Sequence, residues 1–211
     1  MLLAKSVIVV VLTGSIAMGK STTASMFNHR KIPVFDADKV VHNLFNRDGA
    51  VLALVEKHFP SAVTDNRVDR AALGKIVFGD PNRLCILESI IHPLVDIERK
   101  RFVQSHRRGK TKMVVLDIPL FYETKKQYKS DFVCVVSAPS FLQRQRALGR
   151  PGMTQQKLKA ILSRQMPDYE KRKRSNFVVS TGLGKAHTNR ILGKILNHMR
   201  ESRNTMSHER I

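Results

Sequence analysis

An unbroken apolar run, Val7 to Leu12, delivers the chain almost directly into Gly14-Ser-Ile-Ala-Met-Gly19-Lys20-Ser21. This is the G-x-x-x-x-G-K-[ST] pattern, and it constrains the fold more than any other feature because it works only between a strand and a helix. Gly14 and Gly19 let the backbone turn with its N–H groups pointing inward. A nest of donors and the N-terminus of a helix over Lys20–His29 then face a phosphate chain. Lys20 reaches the β- and γ-phosphates, and the Ser21 hydroxyl is a ligand for Mg²⁺. With average Gly, Lys and Ser/Thr usage, a chance match in a chain of this length is roughly a one-in-a-hundred event. The motif predicts a nucleoside triphosphate as ligand.

At 211 residues the chain has the size of one domain with room for a small insertion or lid. No apolar run approaches the ~18–20 residues of a membrane span. Met1-Leu-Leu-Ala-Lys5 has the flavour of a signal peptide, but the apolar stretch after it runs into the phosphate loop, and cleavage there would destroy the site. The expectation is therefore a cytoplasmic protein with no membrane partner. Cys85 falls in a helical segment and Cys134 in a strand, neither with metal-ligand spacing, so both are expected as buried, reduced core thiols. The net charge of +20 is unusual and implies attraction to polyanions, either nucleic acid or phosphate-rich small molecules. It concentrates in two stretches, Arg99 to Lys112 and Arg144 to Arg174. The first follows a helical pattern and is expected to coat a solvated face.

Strand signals alternate with helical ones, the pattern of an α/β fold with a mostly parallel sheet. Strands are expected at Val7–Leu12, Pro33–Phe35, Met113–Asp117, Phe132–Ser137 and Phe177–Val179. Helices are expected at Lys20–His29, Lys39–Asn46, Ala50–His58, Arg70–Val77, Pro81–Ser105, Pro139–Leu148, Thr154–Met166 and Lys185–Arg203. The block from Phe59 to Arg108 reads as helical and free of strands, a module that covers a substrate. The polar segment Glu201–Ile211 is expected to fray.

Two carboxylate positions stand out. Phe35-Asp36-Ala37-Asp38 follows the second strand, and parallel strands present their carboxyl ends to the ligand crevice. Asp36 as N-cap and Asp38 as first-turn dipole partner of the next helix explain the same residues equally well. The third strand closes Val114-Val-Leu-Asp117-Ile-Pro119-Leu120, an apolar run ending in the aspartate that holds Mg²⁺ directly or through water in Walker B patterns. His92-Pro93 interrupts a helical stretch, where proline kinks a helix or starts a new one. Arg70, in Val68-Asp-Arg70, is silent on pattern alone.

Arg144, Arg146 and Arg150 lie on or just after one helix, and Lys171 to Arg174 follow Gln165-Met-Pro167. Phosphoryl transfer needs cations that arrive at the γ-phosphate on closure, and guanidinium suits that task through its bidentate geometry. Arg146 and Arg150 are the first candidates.

Taken in order, these motifs resemble the dephospho-coenzyme A kinase family over roughly Val7 to Leu196. The resemblance rests on Leu12-Thr-Gly-Ser-Ile-Ala-Met-Gly-Lys-Ser-Thr22, Asp36-Ala-Asp38, Val68-Asp-Arg70 with Leu73 and Val77-Phe78, and Leu87-Glu88 with Ile91-His-Pro93. It continues through Asp117-Ile-Pro-Leu120 with Glu123, Arg146 to Arg150, and Gln165-Met-Pro167 with Lys171-Arg172. It implies a P-loop nucleoside-triphosphate hydrolase-type three-layer sandwich with a mostly parallel central sheet, a helical substrate-binding insertion and a lid. The implied single domain spans residues 1–211, with a core at about 1–58, 109–140 and 175–200, a substrate region at about 59–108 and a lid at about 141–174.

The implied reaction is transfer of the γ-phosphate of ATP, with Mg²⁺, to the ribose 3′-hydroxyl of dephospho-coenzyme A. In that reading Asp38, Lys20 and Arg146 are catalytic. Gly14, Ala17, Met18, Gly19, Lys20, Ser21, Thr22 and Arg150 bind ATP. Thr13, Asp38, Arg70, His92, Pro119 and Leu120 bind the acceptor, and Ser21 and Asp117 hold the metal. No specific nucleic-acid partner is implied, and a monomer or small homo-oligomer is expected. Two positions depart from the family. Ala17 stands where glycine is usual, which a backbone with φ below zero would tolerate. Ser180, in Val178-Val-Ser-Thr-Gly182, replaces a carboxylate near the adenine side.

Rival readings lack their own marks. A regulatory GTPase needs Asn-Lys-x-Asp and Asp-x-x-Gly, and neither occurs in the chain. A nucleic-acid-binding ATPase would use the positive charge, but there is no Trp and there are only three Tyr to stack bases. Another small-molecule or nucleoside monophosphate kinase shares the loop, and the Asp36/Asp38 pair with His92-Pro93 argues against it.

Overall fold

The computed structural model describes residues 7–47, 49–78, 80–109, 111–124 and 128–208. They group by Cα packing into two compact units, Met1–Phe35 with Lys110–Ile211, and Asp36–Gly109.

In the first unit, β1 (Ile8–Thr13), β2 (Val34–Asp36), β5 (Met113–Asp117), β6 (Phe132–Ser137) and β7 (Phe177–Ser180) form one sheet in the order β2-β5-β1-β6-β7. The β1–β5, β1–β6 and β6–β7 pairs are all parallel. Every residue of β1 is buried, which explains its continuous rather than alternating apolar run. Leu12, Val10 and Val136 share a core with Phe27 of α1 (Lys20–His29) and with Leu192, Leu196 and Met199 of α9 (Gly184–His208). The register pairs Leu12 with Asp117, so the carboxylate that closes β5 stands beside the strand end that launches the phosphate loop.

The second unit is built on α5 (Pro81–Arg108), with α2 (Ala37–Arg47), α3 (Gly49–His58) and α4 (Arg70–Phe78) packed on it. Its core holds Val51, Val55, Phe59, Leu73, Val77 and Ile91. The Asp80 side chain caps α5, accepting from Asn82 N at 2.9 Å and Arg83 N at 3.2 Å. Helices α2 and α3, grouped with the sheet on sequence, share this separate core.

Several elements differ from expectation. Residues 59–108 are not free of strands: β3 (Val63–Thr64) and β4 (Arg67–Val68) form a hairpin. Asp65 and Asn66 turn it with φ of 50° and 57°, the two left-handed residues of a type I′ turn. Pro93 neither ends nor restarts a helix, because α5 runs through it at the cost of one ladder hydrogen bond. The segment after α6 (Ser140–Leu148) divides into α7 (Gln155–Leu162) and the unanticipated α8 (Asp168–Arg174). Seven residues of Asp-Tyr-Glu-Lys-Arg-Lys-Arg carry no apolar period. The acids sit in the first turn of α8 and the cations in its last, which suits the helix dipole. Helix α9 extends past the expected Arg203 to His208, and residues 209–211 of the segment expected to fray lie outside the described residues. Cys134 is buried, its thiol pushed up to about 12 by desolvation, whereas Cys85 is exposed on α5 and not a core thiol. No described helix is long and apolar enough to cross a membrane.

Candidate active site

The phosphate loop is shaped by close approach. A Cβ on Gly14 would meet Val136 Cγ2 at 2.3 Å and Val136 O at 2.8 Å, so only glycine passes β6. Gly19 caps α1 at φ 93°, and its missing side chain leaves room for Thr181, whose atoms would lie 3.1–3.2 Å from a Cβ. The first amides of α1 are thus left to face an anion.

Ala17 corrects the expectation of negative φ: it sits at φ 61°, in the left-handed region. An alanine there costs on the order of 1–2 kcal/mol. Its buried methyl packs against Ala147 of α6 and Leu158 of α7, which offsets much of that strain at about 0.8 kcal/mol per carbon.

Lys20 Nζ lies 2.5 Å from Asp117 Oδ1, in an ion pair whose side chains are 17% and 6% exposed. The two residues that the motifs assign to phosphate and metal are therefore in contact. Ser21 is exposed in the first turn of α1. Among the described residues no group of three or more His, Cys, Asp or Glu could cage an ion. One carboxylate plus one hydroxyl fits Mg²⁺, which takes one or two protein oxygens and completes its octahedron with phosphates and water.

Thr13 is fully buried and donates its hydroxyl to Pro119 O at 3.1 Å, so it ties the strand end to the turn after β5. That bond uses its only proton. In the same turn Pro119 is half-buried and Leu120 is exposed.

Three further side chains fasten the loop, and sequence reasoning gave none of them a site role. Gln165 Oε1 accepts from Ile16 N at 3.1 Å, and Gln143 Nε2 donates to Ile16 O at 2.9 Å. Thr181 Oγ1 donates to Met18 O at 2.7 Å. Arg146 joins this group by donating to Thr181 O at 2.8 Å and to Thr181 Oγ1 at 3.3 Å. Its guanidinium is thus tied, through one threonine, to the loop itself. Arg150 is exposed just beyond α6, and Thr22 is exposed on α1.

Of the cations after Gln165-Met-Pro167, Lys171 is not a solvated lid charge. It is fully buried, with Nζ 2.7 Å from Glu123 Oε1, which also accepts from Met166 N at 2.8 Å. Arg172, Lys173 and Arg174 remain exposed on α8. Beside Met18 a cavity of about 380 Å³ is lined by Ser137, Pro139, Asp168, Arg172 and Ser180.

The remaining candidates lie in the helical unit. Asp36 Oδ1 accepts from Lys39 N at 3.0 Å, a helix-capping bond. Asp38 is exposed in the first turn of α2. One turn on, His42 shares its face and is hydrogen-bonded to Arg70 Nη1 through Nδ1. Guanidinium only donates, so Nδ1 accepts and the ring proton resides on Nε2. Asn46, 3.2 Å from Nε2, must then present its oxygen there. Asp38, His42 and Arg70 accordingly share one side of the unit. His92 is half-buried on α5.

A dephospho-CoA kinase family model matches residues 8–185. A dephospho-CoA kinase of Paramagnetospirillum magneticum is 55% identical over 161 residues, 76% of each chain. One of Mesorhizobium japonicum is 47% identical over 196 residues, 93% of this chain and 98% of that one. The crystal structure of a Thermus thermophilus protein superposes with a TM-score of 0.79 at 31% identity, covering 92% of this chain and 98% of its own. A dephospho-CoA kinase of Campylobacter jejuni gives a TM-score of 0.63 at 26% identity, covering 90% and 96%. Motif order, parallel sheet and phosphate loop agree with these matches, and the chain belongs to the dephospho-CoA kinase family.

Proposed function

We propose that this chain transfers the γ-phosphate of ATP to the ribose 3′-hydroxyl of dephospho-coenzyme A, giving coenzyme A and ADP. The observation that carries the reading is the glycine-shaped loop with Lys20 held 2.5 Å from Asp117, in a member of the dephospho-CoA kinase family. The loop amides, the α1 N-terminus and Lys20 bind the β- and γ-phosphates. Ser21 and Asp117 are the residues that would hold Mg²⁺, which when bound neutralises charge developing between the β- and γ-phosphates. The adenine occupies the cavity beside Met18, where Asp168 and Ser180 offer polar atoms.

Asp38 accepts the proton of the 3′-hydroxyl as that oxygen bonds to the γ-phosphorus. The bond from phosphorus to the β–γ bridging oxygen breaks, and ADP leaves. Arg70, oriented by His42, and His92 bind the acceptor, while Arg146 and Arg150 counter charge on the transferred group. The test is an ADP-release assay against dephospho-coenzyme A, nucleoside monophosphates and single-stranded RNA. Turnover is expected with the first alone. Robust turnover with a nucleoside monophosphate and none with dephospho-coenzyme A overturns the reading.

A further inference from the structure

The reaction uses few of the cations that make the chain so basic. Within the first unit a second cavity, about 300 Å³, is lined by Arg30, Lys31, Thr111, Lys112 and Arg200. It opens where β1 and β5 begin, at Ile8 and Met113, whereas the phosphate loop leaves from where β1 ends. At about 3.3 Å per residue the two ends of β1 are roughly 17 Å apart, so this is not the nucleotide site.

One of these cations, Arg30, is fixed by hydrogen bonds, while Lys31, Lys112 and Arg200 are exposed around it. Arg30 donates to Asn189 O at 3.0 Å and to the Asn189 side chain. Its guanidinium lies against α9, at ordinary van der Waals distance (3.8 Å) from where a Cβ on Gly193 would stand. Asn189, Gly193 and Arg200 recur at spacings of four and seven and share one face of that helix. Lys31 is held at φ 58°, a conformation uncommon for lysine. Among the described residues no carboxylate lines the cavity. The acid on the neighbouring segment, Asp131, is already taken by Arg203 at 2.8 Å and by Val9 N at 2.8 Å.

Four cations and a hydroxyl without an acid describe a site for phosphate oxygens. Among the described residues no aromatic ring lines the cavity to stack a base, and none of the large exposed apolar side chains borders it to anchor in a bilayer. We infer that this face binds the phosphodiester backbone of single-stranded RNA, independently of sequence and apart from phosphoryl transfer.

Fluorescence anisotropy of a short labelled oligouridine, titrated with protein over a series of salt concentrations, tests this. Lys31→Asn, which also suits the left-handed backbone, is combined with Lys112→Gln. The pair should weaken binding about tenfold at low salt and make the log K against log salt slope shallower by about 1.4, two lost contacts at ~0.7 each. Kinase turnover should not change. A control pair on exposed helical positions, Lys57→Gln with Lys75→Gln, removes the same charge and should leave the slope alone. Equal losses from both pairs would reduce the effect to net charge and overturn the assignment. So would pyrophosphate, or vesicles of anionic phospholipid, binding with the Lys31/Lys112 dependence while RNA binding ignores it.

Discussion

Asp36 and Asp38 are two residues apart and chemically identical, yet their surroundings differ. The Asp36 carboxylate is occupied by the Lys39 amide, while Asp38 is exposed one turn before the His42–Arg70 pair. Asp38→Asn keeps shape and one acceptor oxygen but removes basicity. It should lower kcat by about 10²–10⁴ with ATP affinity nearly unchanged. Asp36→Asn should cost about 1 kcal/mol of stability and little rate. Steady-state kinetics, ATP titration and thermal melts on both variants decide; a dead Asp36→Asn beside a normal Asp38→Asn would reverse the assignment. The Lys20–Asp117 contact adds a second expectation. Lys20→Ala should lose several kcal/mol of transition-state stabilisation, read as a fall in kcat/KM, and a near-normal kcat/KM would overturn the role given to the loop.

At the scale of elements, legibility followed length and period. β5, β6 and α1 have the predicted bounds because long apolar runs and a glycine cap mark them. The β3–β4 hairpin escaped because two-residue strands show no alternation, and α8 because its helix is written in charge rather than apolar spacing. The glycine-shaped loop between β1 and α1 was readable for the same local reason: its residues are contiguous. Gln143, Gln165 and Thr181 were not, since each reaches the loop from more than a hundred residues away through one polar atom. These contacts predict that Gln143→Met and Gln165→Met each raise the KM for ATP severalfold and that the double variant is less than additive, because both grip Ile16. Acceptor KM should stay constant, and a fall in kcat alone would assign them a different role. In α5, burial favours the protonated form of Asp96, but hydrogen bonds from Lys100 and Arg99 and their charges prevail and hold its carboxyl below the usual range. A depressed carboxyl stabilises the fold above its unfolded pKa near 4 and loses that contribution as pH falls through the folded value. Asp96→Asn should thus cost about 0.5–1 kcal/mol at neutral pH, a cost that shrinks as the medium is acidified through the depressed folded-state value, measured by urea unfolding across an acid series.

Across the whole molecule, the two units have separate cores, and their ligands are assigned to them unequally. The triphosphate contacts proposed here lie in the sheet unit: the loop, Lys20, Ser21, Asp117 and Arg146. The residues proposed to contact the acceptor, Asp38, Arg70 and His92, lie in the helical unit. A ligand that binds only the folded form stabilises what it binds by RT ln(1 + [L]/Kd), about 2.7 kcal/mol at a hundredfold excess over Kd. Mg-ATP alone should therefore slow hydrogen exchange in β1, β5 and α1 by up to about a hundredfold, with a smaller effect on the α3 and α4 amides. Dephospho-coenzyme A should extend protection to α2 and α4. The Lys20→Ala variant should lose the ATP effect and keep the acceptor effect, since the lost cation sits in only one of the two units. Protection of the helical unit by ATP alone, equal to that of the sheet, would mean that the triphosphate contacts have been drawn too narrowly.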